Sequence, residues 1–355
     1  MTTAVDIGAL LNPAREFRAR LAKLKARVAP RDFPWYPYDS LSNLEHFDRL
    51  LTGDSRRLLD LAGDGAVIDI GCADGDLAFF LESLGCKVQV IDNPAINHNA
   101  MRGLRTLKDT LHSSVEIHTV DLDGQFALPS DEFNLALLLG VLYHLKNPVY
   151  VLEALSRQAR FCLLSTRILP RETAPVAYLA DEYELNEADD SNYWLFSESG
   201  LRLLLKRTNW RIQNYITVGD DADLRAFCLA RSRYALAHLD LLEGWHAAEP
   251  GGHRWTARKF SAIANCAAGP RSLRLRFFLP PVVLERAGSV TISCAAAGVD
   301  LPPGTYNAPG LFTYDRPVAP VTGDIRLDFS LNYALPPDET DPRERGVIVS
   351  ALDLE

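Results

Sequence analysis

The chain has 355 residues, 47% of them hydrophobic and 23% charged, with a net charge of −9 at pH 7. This is ordinary globular usage and excludes wholesale disorder. No apolar run is long enough to span a bilayer, and the N-terminus lacks a charged-then-apolar signal pattern, so a soluble, cytoplasmic protein is expected. The acidic balance, with a pI near 5.4, argues against broad nucleic-acid binding but not against one local basic patch. Cys72, Cys86, Cys162, Cys228, Cys266 and Cys294 show no C-x-x-C pairing. They read as reduced, mostly buried thiols, neither a disulfide framework nor a zinc site.

Three zones follow along the chain. In residues 1–39, Phe17, Leu21, Leu24 and Val28 recur at helical spacing. Between them lie Arg15, Arg18, Arg20, Lys23, Lys25 and Arg27. A basic amphipathic helix can touch lipid or RNA phosphate. The reading preferred here is an apolar stripe packed on the main domain with its charges in water. Pro30 is expected to stop the helix before the aromatic stretch Phe33, Trp35, Tyr36 and Tyr38.

Residues 40–237 alternate strands and helices. Ser40 reads as the N-cap of a helix reaching residue 51. Strands are expected at 66–70, 87–91, 115–120, 134–139 and 161–165, with helices at 76–84, 101–111 and 149–158. Near-continuous apolar strands separated by helices imply a parallel sheet covered on both faces, a doubly wound α/β domain. A helix at 199–207 and two strands, 211–218 and 225–230, close the zone as an antiparallel hairpin at the sheet edge.

The third zone, 244–355, follows a junction at 236–243. Period-two alternation appears at 273–277, 290–294 and 325–331. Pro302, Pro303, Gly304, Pro309, Gly310, Pro336 and Pro337 punctuate these runs. An all-β sandwich or barrel is expected.

The strongest chemical signal is Val67-Ile-Asp-Ile-Gly-Cys-Ala-Asp-Gly-Asp76, a buried strand, a turn with Gly71 and Gly75, then a helix. Such a turn lets backbone approach a nucleotide at the carboxyl ends of the strands. A dinucleotide fingerprint needs G-x-G-x-x-G, and counting from Gly71 this chain has Ala73 and Asp76 at the second and third glycine slots. No P-loop is present near a strand end.

Asp69-x-Gly71-x-Ala73-x-Gly75 resembles motif I of the class I S-adenosylmethionine-dependent methyltransferases, usually Asp-x-Gly-x-Gly-x-Gly. Ala73 stands where the middle glycine would be. The run Gly140-Val-Leu-Tyr143-His144-Leu-Lys-Asn-Pro148 is similar to the branch that contains the tRNA wobble-uridine carboxymethyltransferases, as is Asn192-Tyr-Trp194-Leu-Phe-Ser. The resemblance covers residues 35–232. It implies a seven-stranded Rossmann-like domain and S-adenosyl-L-methionine as cofactor. The cofactor contacts it implies are Asp69, Gly71, Cys72, Ala73 and Gly75 at the turn and Asp92 and Asn93 at the ribose. It further implies Asp121 and Leu122 at the adenine, with Asp123 competing for the polar role, and Leu139 at the end of the fourth strand. That branch uses a carboxylated cofactor held by basic and tyrosine contacts. Tyr143 matches one such tyrosine, and no basic partner is found ahead of the fold, so a plain methyl donor is preferred.

A sulfonium methyl is already activated, so the enzyme must align a nucleophile and exclude water. A hydroxyl or protonated amine needs a base, and histidine suits neutral pH. His144 is the candidate base, weighed against a packing or hydrogen-bonding role, and Tyr143 would shape the methyl pocket. His98 is the poorer candidate, toward the ribose. Trp35, Tyr36 and Tyr38 are lid candidates against a clamp between helix and sheet. Arg167 would meet an anionic group, and Asn192 and Trp194 belong to the substrate side. Asp181, Glu182, Glu184, Glu187, Asp189 and Asp190 read mainly as solvated loop charge. In the third zone, Trp245, His246, His253 and Trp255 suit sugar stacking or core packing, and this pattern resembles β-domains of polysaccharide-assembly proteins. No metal site is expected, since His246 and His253 lack further ligands at metal spacing.

The expected activity is O-methylation of a sugar or small metabolite linked to glycan biosynthesis. The alternatives are tRNA methyl or carboxymethyl transfer, and a non-catalytic cofactor-binding scaffold.

Overall fold

The computed structural model describes residues 5–28, 33–63, 65–130, 132–184, 191–233, 239–249, 253–266, 272–319 and 323–354. The expected helix stop at Pro30, and Glu187, Asp189 and Asp190, lie outside them. The chain forms two units, residues 1–232 and 233–355.

In the first unit, α1 (Ile7–Arg27), α2 (Asn43–Leu50) and α3 (Leu58–Ala62) precede the sheet. There follow β1 (Ala66–Ile70), α4 (Asp76–Ser83), β2 (Lys87–Asp92), α5 (Arg102–Leu111), β3 (Glu116–Thr119) and β4 (Phe133–Leu139). Then come α6 (Pro148–Gln158), β5 (Ala159–Arg167), β6 (Ala177–Leu179), β7 (Trp194–Phe196), α7 (Glu198–Arg207), β8 (Trp210–Val218) and β9 (Arg225–Ser232). The seven-stranded sheet runs β3-β2-β1-β4-β5-β9-β8, and β6 and β7 form a separate two-stranded piece. The first five strands are parallel, whereas β9 is antiparallel to both β5 and β8. The final hairpin therefore stands at the edge, as the missing helix between the two strands implied.

Alternate residues of the strands feed two cores. Val67, Leu135 and Leu137 join α1, α2, α4 and α5 on one face. Ile68, Ile70, Ala136 and Leu138 join α6 and α7 on the other. A sheet buried on both faces requires this continuous apolar sequence.

The N-terminal helix is longer than the spacing suggested. It starts at Ile7, with the Asp6 carboxylate accepting the Gly8 N–H at 2.8 Å. Ile7, Leu10, Ala14 and Leu21 are buried, and Phe17 meets Phe80 of α4 at 5.5 Å between ring centres. The packing reading of the helix holds. Ser40 is a correction. Asp39, not Ser40, caps the short 3₁₀ turn that leads into α2, accepting the Leu41 N–H at 3.0 Å. The Ser40 hydroxyl instead accepts the Leu77 N–H of α4 at 3.2 Å. Gly75, at the cap position of α4, has no side chain to do this.

The second unit comprises β10 (Leu239–Leu241), β11 (Arg254–Trp255), β12 (Lys259–Cys266), β13 (Ser272–Leu279), α8 (Pro281–Ala287), β14 (Val290–Ala296), β15 (Val299–Tyr306), β16 (Gly310–Pro317), β17 (Gly323–Leu331) and β18 (Ile348–Leu354). They form a five-stranded sheet, β10-β12-β17-β14-β15, and a four-stranded sheet, β11-β18-β13-β16. Both contribute alternate side chains to one core, among them Phe260, Leu275, Phe277, Ile292, Tyr314 and Leu327. Pro302, Pro303 and Gly304, read as turn punctuation, lie inside β15. That strand is an edge, where a proline lacking its N–H costs no ladder bond. Trp245 is a packing residue. Its indole donates to the Ser261 carbonyl at 2.8 Å and its ring stands edge-on to Phe260. Trp255 packs partly buried against the same core.

If α1 belongs to the core, Leu21→Ala should lower the urea-unfolding stability of the first unit by about 2–5 kcal/mol. Lys23→Ala, at an exposed position two residues on in the same helix, should change it by about 0.5 kcal/mol or less.

Candidate active site

The site forms where β1 and its neighbours present their carboxyl ends. The chain leaves β1 through Gly71, Ala73 and Gly75, at φ of 67°, 57° and 83°. The Gly71 N–H donates to the Ile91 carbonyl at 2.9 Å, which ties the turn to β2. A Cβ built on Gly71 would lie 2.5 Å from the Val141 side chain, and one on Gly75 2.5 Å from Leu104. Both positions therefore need glycine for conformation and for space. Ala73 is left-handed too, at a cost of about 1–2 kcal/mol. The position reads as a glycine slot because the backbone there demands it.

Carboxylates gather around this turn. Asp69 is buried at the end of β1, and burial, with Asp92 nearby, pushes its pKa up to about 7. Asp92 accepts the Asn93 N–H and the Asn97 amide, each at 2.8 Å. Burial raises its pKa as well, against those hydrogen bonds. Asp74 accepts the Tyr36 N–H and the Asn99 amide, each at 2.8 Å. Lys25 of α1 reaches Asp76 at 2.9 Å and Asp74 at 3.4 Å. The Cys72 thiol is buried and its pKa rises well above the ordinary range. Asn93 turns its side-chain oxygen to the Ala95 N–H.

After β3, Asp121 is exposed and accepts only the local Asp123 N–H among its described hydrogen bonds. Asp123 accepts the Lys146 N–H at 2.7 Å, so its carboxylate is committed to the loop after β4. Leu122 packs half-buried against the core on the α6 face, and Leu139 against the core on the α4 face.

Past β4, Tyr143 is buried and His144 half-buried, their rings 4.2 Å apart. Nδ1 of His144 lies 2.9 Å from the Ser191 carbonyl and 3.0 Å from the Ser191 hydroxyl. The carbonyl can only accept, so Nδ1 carries the proton and Nε2 is the acceptor in the neutral ring. The Tyr193 N–H donates to the Tyr143 carbonyl at 2.8 Å, zipping residues 191–193 onto this turn. Asn192 is buried beside them. Trp194 stacks on Phe196, and its buried indole N–H has no partner among the described residues.

Arg225 was not anticipated. It opens β9 opposite Arg167 in the register of β5, and Asp223 binds both guanidinium groups at 3.1 Å. The Arg225 guanidinium lies 5.9 Å from the centre of the Tyr143 ring. Burial pushes the Tyr143 pKa up while Arg225 and Arg167 draw it down. The sign of its usefulness was available: an antiparallel last hairpin returns its second strand's start to the carboxyl edge.

The aromatic stretch divides. Trp35 packs on the core, edge-on to Phe33 and beneath the Lys25 ammonium, which makes it a clamp. Tyr36 contacts His98 at 5.5 Å and Tyr38 at 5.9 Å, while Tyr38 is 69% exposed. His98 thus lies beside Tyr36, in the segment that follows β2.

Residues 42–215 match a family described as "Methyltransferase domain". No curated protein matches the chain. Among solved structures, a protein from Pyrococcus horikoshii OT3 is 18% identical with a TM-score of 0.42, covering 58% of this chain and 97% of its own. The N-terminal domain of EvdMO1 with SAH bound is 13% identical at a TM-score of 0.42, covering 66% and 100%. The magnesium protoporphyrin IX methyltransferase of Synechocystis PCC 6803 with bound SAH is 18% identical at 0.37, covering 49% and 78%.

Asp69 supplies a pH test. Its folded pKa of about 7 exceeds the ordinary 3.8, so the folded state holds a proton that the unfolded state has lost. This contribution is fully present below about pH 4 and disappears as pH rises through 7. Asp69→Asn should therefore gain stability relative to the parent as pH rises from about 4 to 7, measured by denaturant titration.

Proposed function

We propose that this chain, an S-adenosylmethionine-dependent methyltransferase whose domain spans the matched residues 42–215, methylates a hydroxyl of a sugar or another small metabolite in glycan assembly. The observation that carries the hydroxyl is His144. Its Nδ1 faces the Ser191 carbonyl, which sets the neutral ring in the tautomer whose Nε2 is the basic nitrogen.

The residues around β1 fit the cofactor. The left-handed turn brings bare backbone to the strand ends, and Asp92 offers a carboxylate where ribose hydroxyls would need an acceptor. Asp69, Asp74, Asp76 and Asp92 outnumber the one lysine described against them, which favours a cationic ligand. Asp121 and Leu122 would hold the adenine, since Asp123 is occupied. When bound, S-adenosylmethionine supplies a methyl group on a positively charged sulfur. His144 would take the acceptor's proton, Tyr143 would wall the path of the methyl, and Tyr36 and Tyr38 would flank an acceptor ring. Arg167 and Asn192 line the same side.

The tRNA reading loses support from α1. Arg15, Arg18 and Lys25 pair with Glu45, Asp39 and the acids of the turn, so half of the basic stripe is already neutralised. One observation favours a variant of the chemistry. The Tyr143 hydroxyl with Arg225 could hold a carboxylate on the transferred group.

Purified protein and tritiated-methyl S-adenosylmethionine, incubated with RNA, polysaccharide and small-molecule fractions, should put label into a saccharide or small-molecule fraction. His144→Ala should cut that rate by about 10²–10⁴-fold. Label in RNA would overturn the acceptor, and an undiminished His144→Ala rate would overturn the base. Labelling only from a carboxylated donor would select the second chemistry.

A further inference from the structure

Four segments meet at one buried carboxylate. Asp74, in the turn after β1, has a side chain only 2% exposed. It accepts the backbone N–H of Tyr36, the amide of Asn99 and the ammonium of Lys25. Asn99 in turn donates to the Pro34 carbonyl and accepts the N–H of Gly103 in the first turn of α5. A Cβ on Gly103 would fall 1.9 Å from Asp74, so α5 is seated directly on that carboxylate. Lys25 also binds Asp76, the first residue of α4, whose other carboxylate oxygen is buried without a partner among the described residues. One lysine thus serves two carboxylates, with side-chain exposures of 17% for the lysine, 2% for Asp74 and 12% for Asp76.

Removing one partner from buried ionic groups strands the others, and the structure then relaxes by moving the unpaired charge toward water. Here the stranded groups would be the fourth and sixth residues of the turn that runs from Gly71 to α4. The easiest relief is for that turn to open, and its geometry is already strained at Ala73.

We propose that Lys25 of the N-terminal helix is a positioning residue for the cofactor turn, holding Asp74 and Asp76 in the geometry that accepts S-adenosylmethionine. It touches neither the acceptor nor the methyl group; it acts through the turn. The inference rests on the reading of that turn as the cofactor site.

The test is calorimetric binding of S-adenosylhomocysteine to the full chain and its variants. Lys25→Met should bind at least about tenfold more weakly, Lys25→Arg within about threefold of the parent, and Lys25→Met/Asp76→Asn more tightly than the single variant. A purely structural lysine would lower the melting temperature and leave the affinity of the folded protein unchanged. Lys25→Met binding within twofold of the parent therefore overturns the proposal. Should Lys25→Met not fold, the parent itself carries the test. Affinity and pairing are reciprocal, so saturating S-adenosylhomocysteine should slow chemical acetylation of Lys25 but not of exposed Lys23. Equal slowing of neither or both overturns it. Asp92→Ala separates the premise: undiminished binding there overturns the cofactor reading of the turn, whatever Lys25 does.

Discussion

A backbone that must double back within five residues at the end of a buried strand constrains everything around it. Residues 71, 73 and 75 are left-handed, and two of them press against Val141 and Leu104. That contact ties the turn to the loop after β4 and to α5. The Gly71 N–H ties it to β2 through the Ile91 carbonyl. The turn is thus braced by the neighbouring strands on both sides of β1, which is where an open α/β sheet leaves a crevice.

The carboxyl edge is electrostatically divided. Around β1 and β2 it is acidic, with Asp69, Asp74, Asp76 and Asp92 described against Lys25. Around β5 and β9 it carries Arg167 and Arg225, gathered on Asp223, with the Arg225 guanidinium 5.9 Å from the Tyr143 ring centre. Tyr143 and His144 stand on the loop between the two. This separation follows from topology, because the antiparallel β9 returns to the edge where the parallel strands end.

The N-terminal segment is part of this arrangement. Its helix carries basic residues that composition alone would assign to solvent or to an anionic partner. Burial of Leu21 and the reach of Lys25 place it in the domain instead. Residues 33–38 continue the same role, with Trp35 clamped between Phe33 and Lys25 and the Tyr36 backbone bound to Asp74.

Much was legible in the sequence, for reasons that are local. Strand-helix alternation, the glycine turn and Asp92 at the end of the second strand depend on residues close in the chain, where periodicity and dihedral demands act. The class of domain followed from them. What lay beyond reach depended on residues far apart. Ser40 caps a helix 37 positions away instead of its own turn. Arg225 faces Tyr143 only because β9 pairs with β5. Prolines at 302 and 303 sit in a strand because that strand is an edge. Hydrogen-bond tautomer, buried ion pairing and edge position are properties of neighbours in space. A single chain read along its length determines which elements form, and only their packing decides which side chains share a dielectric, a proton or a charge.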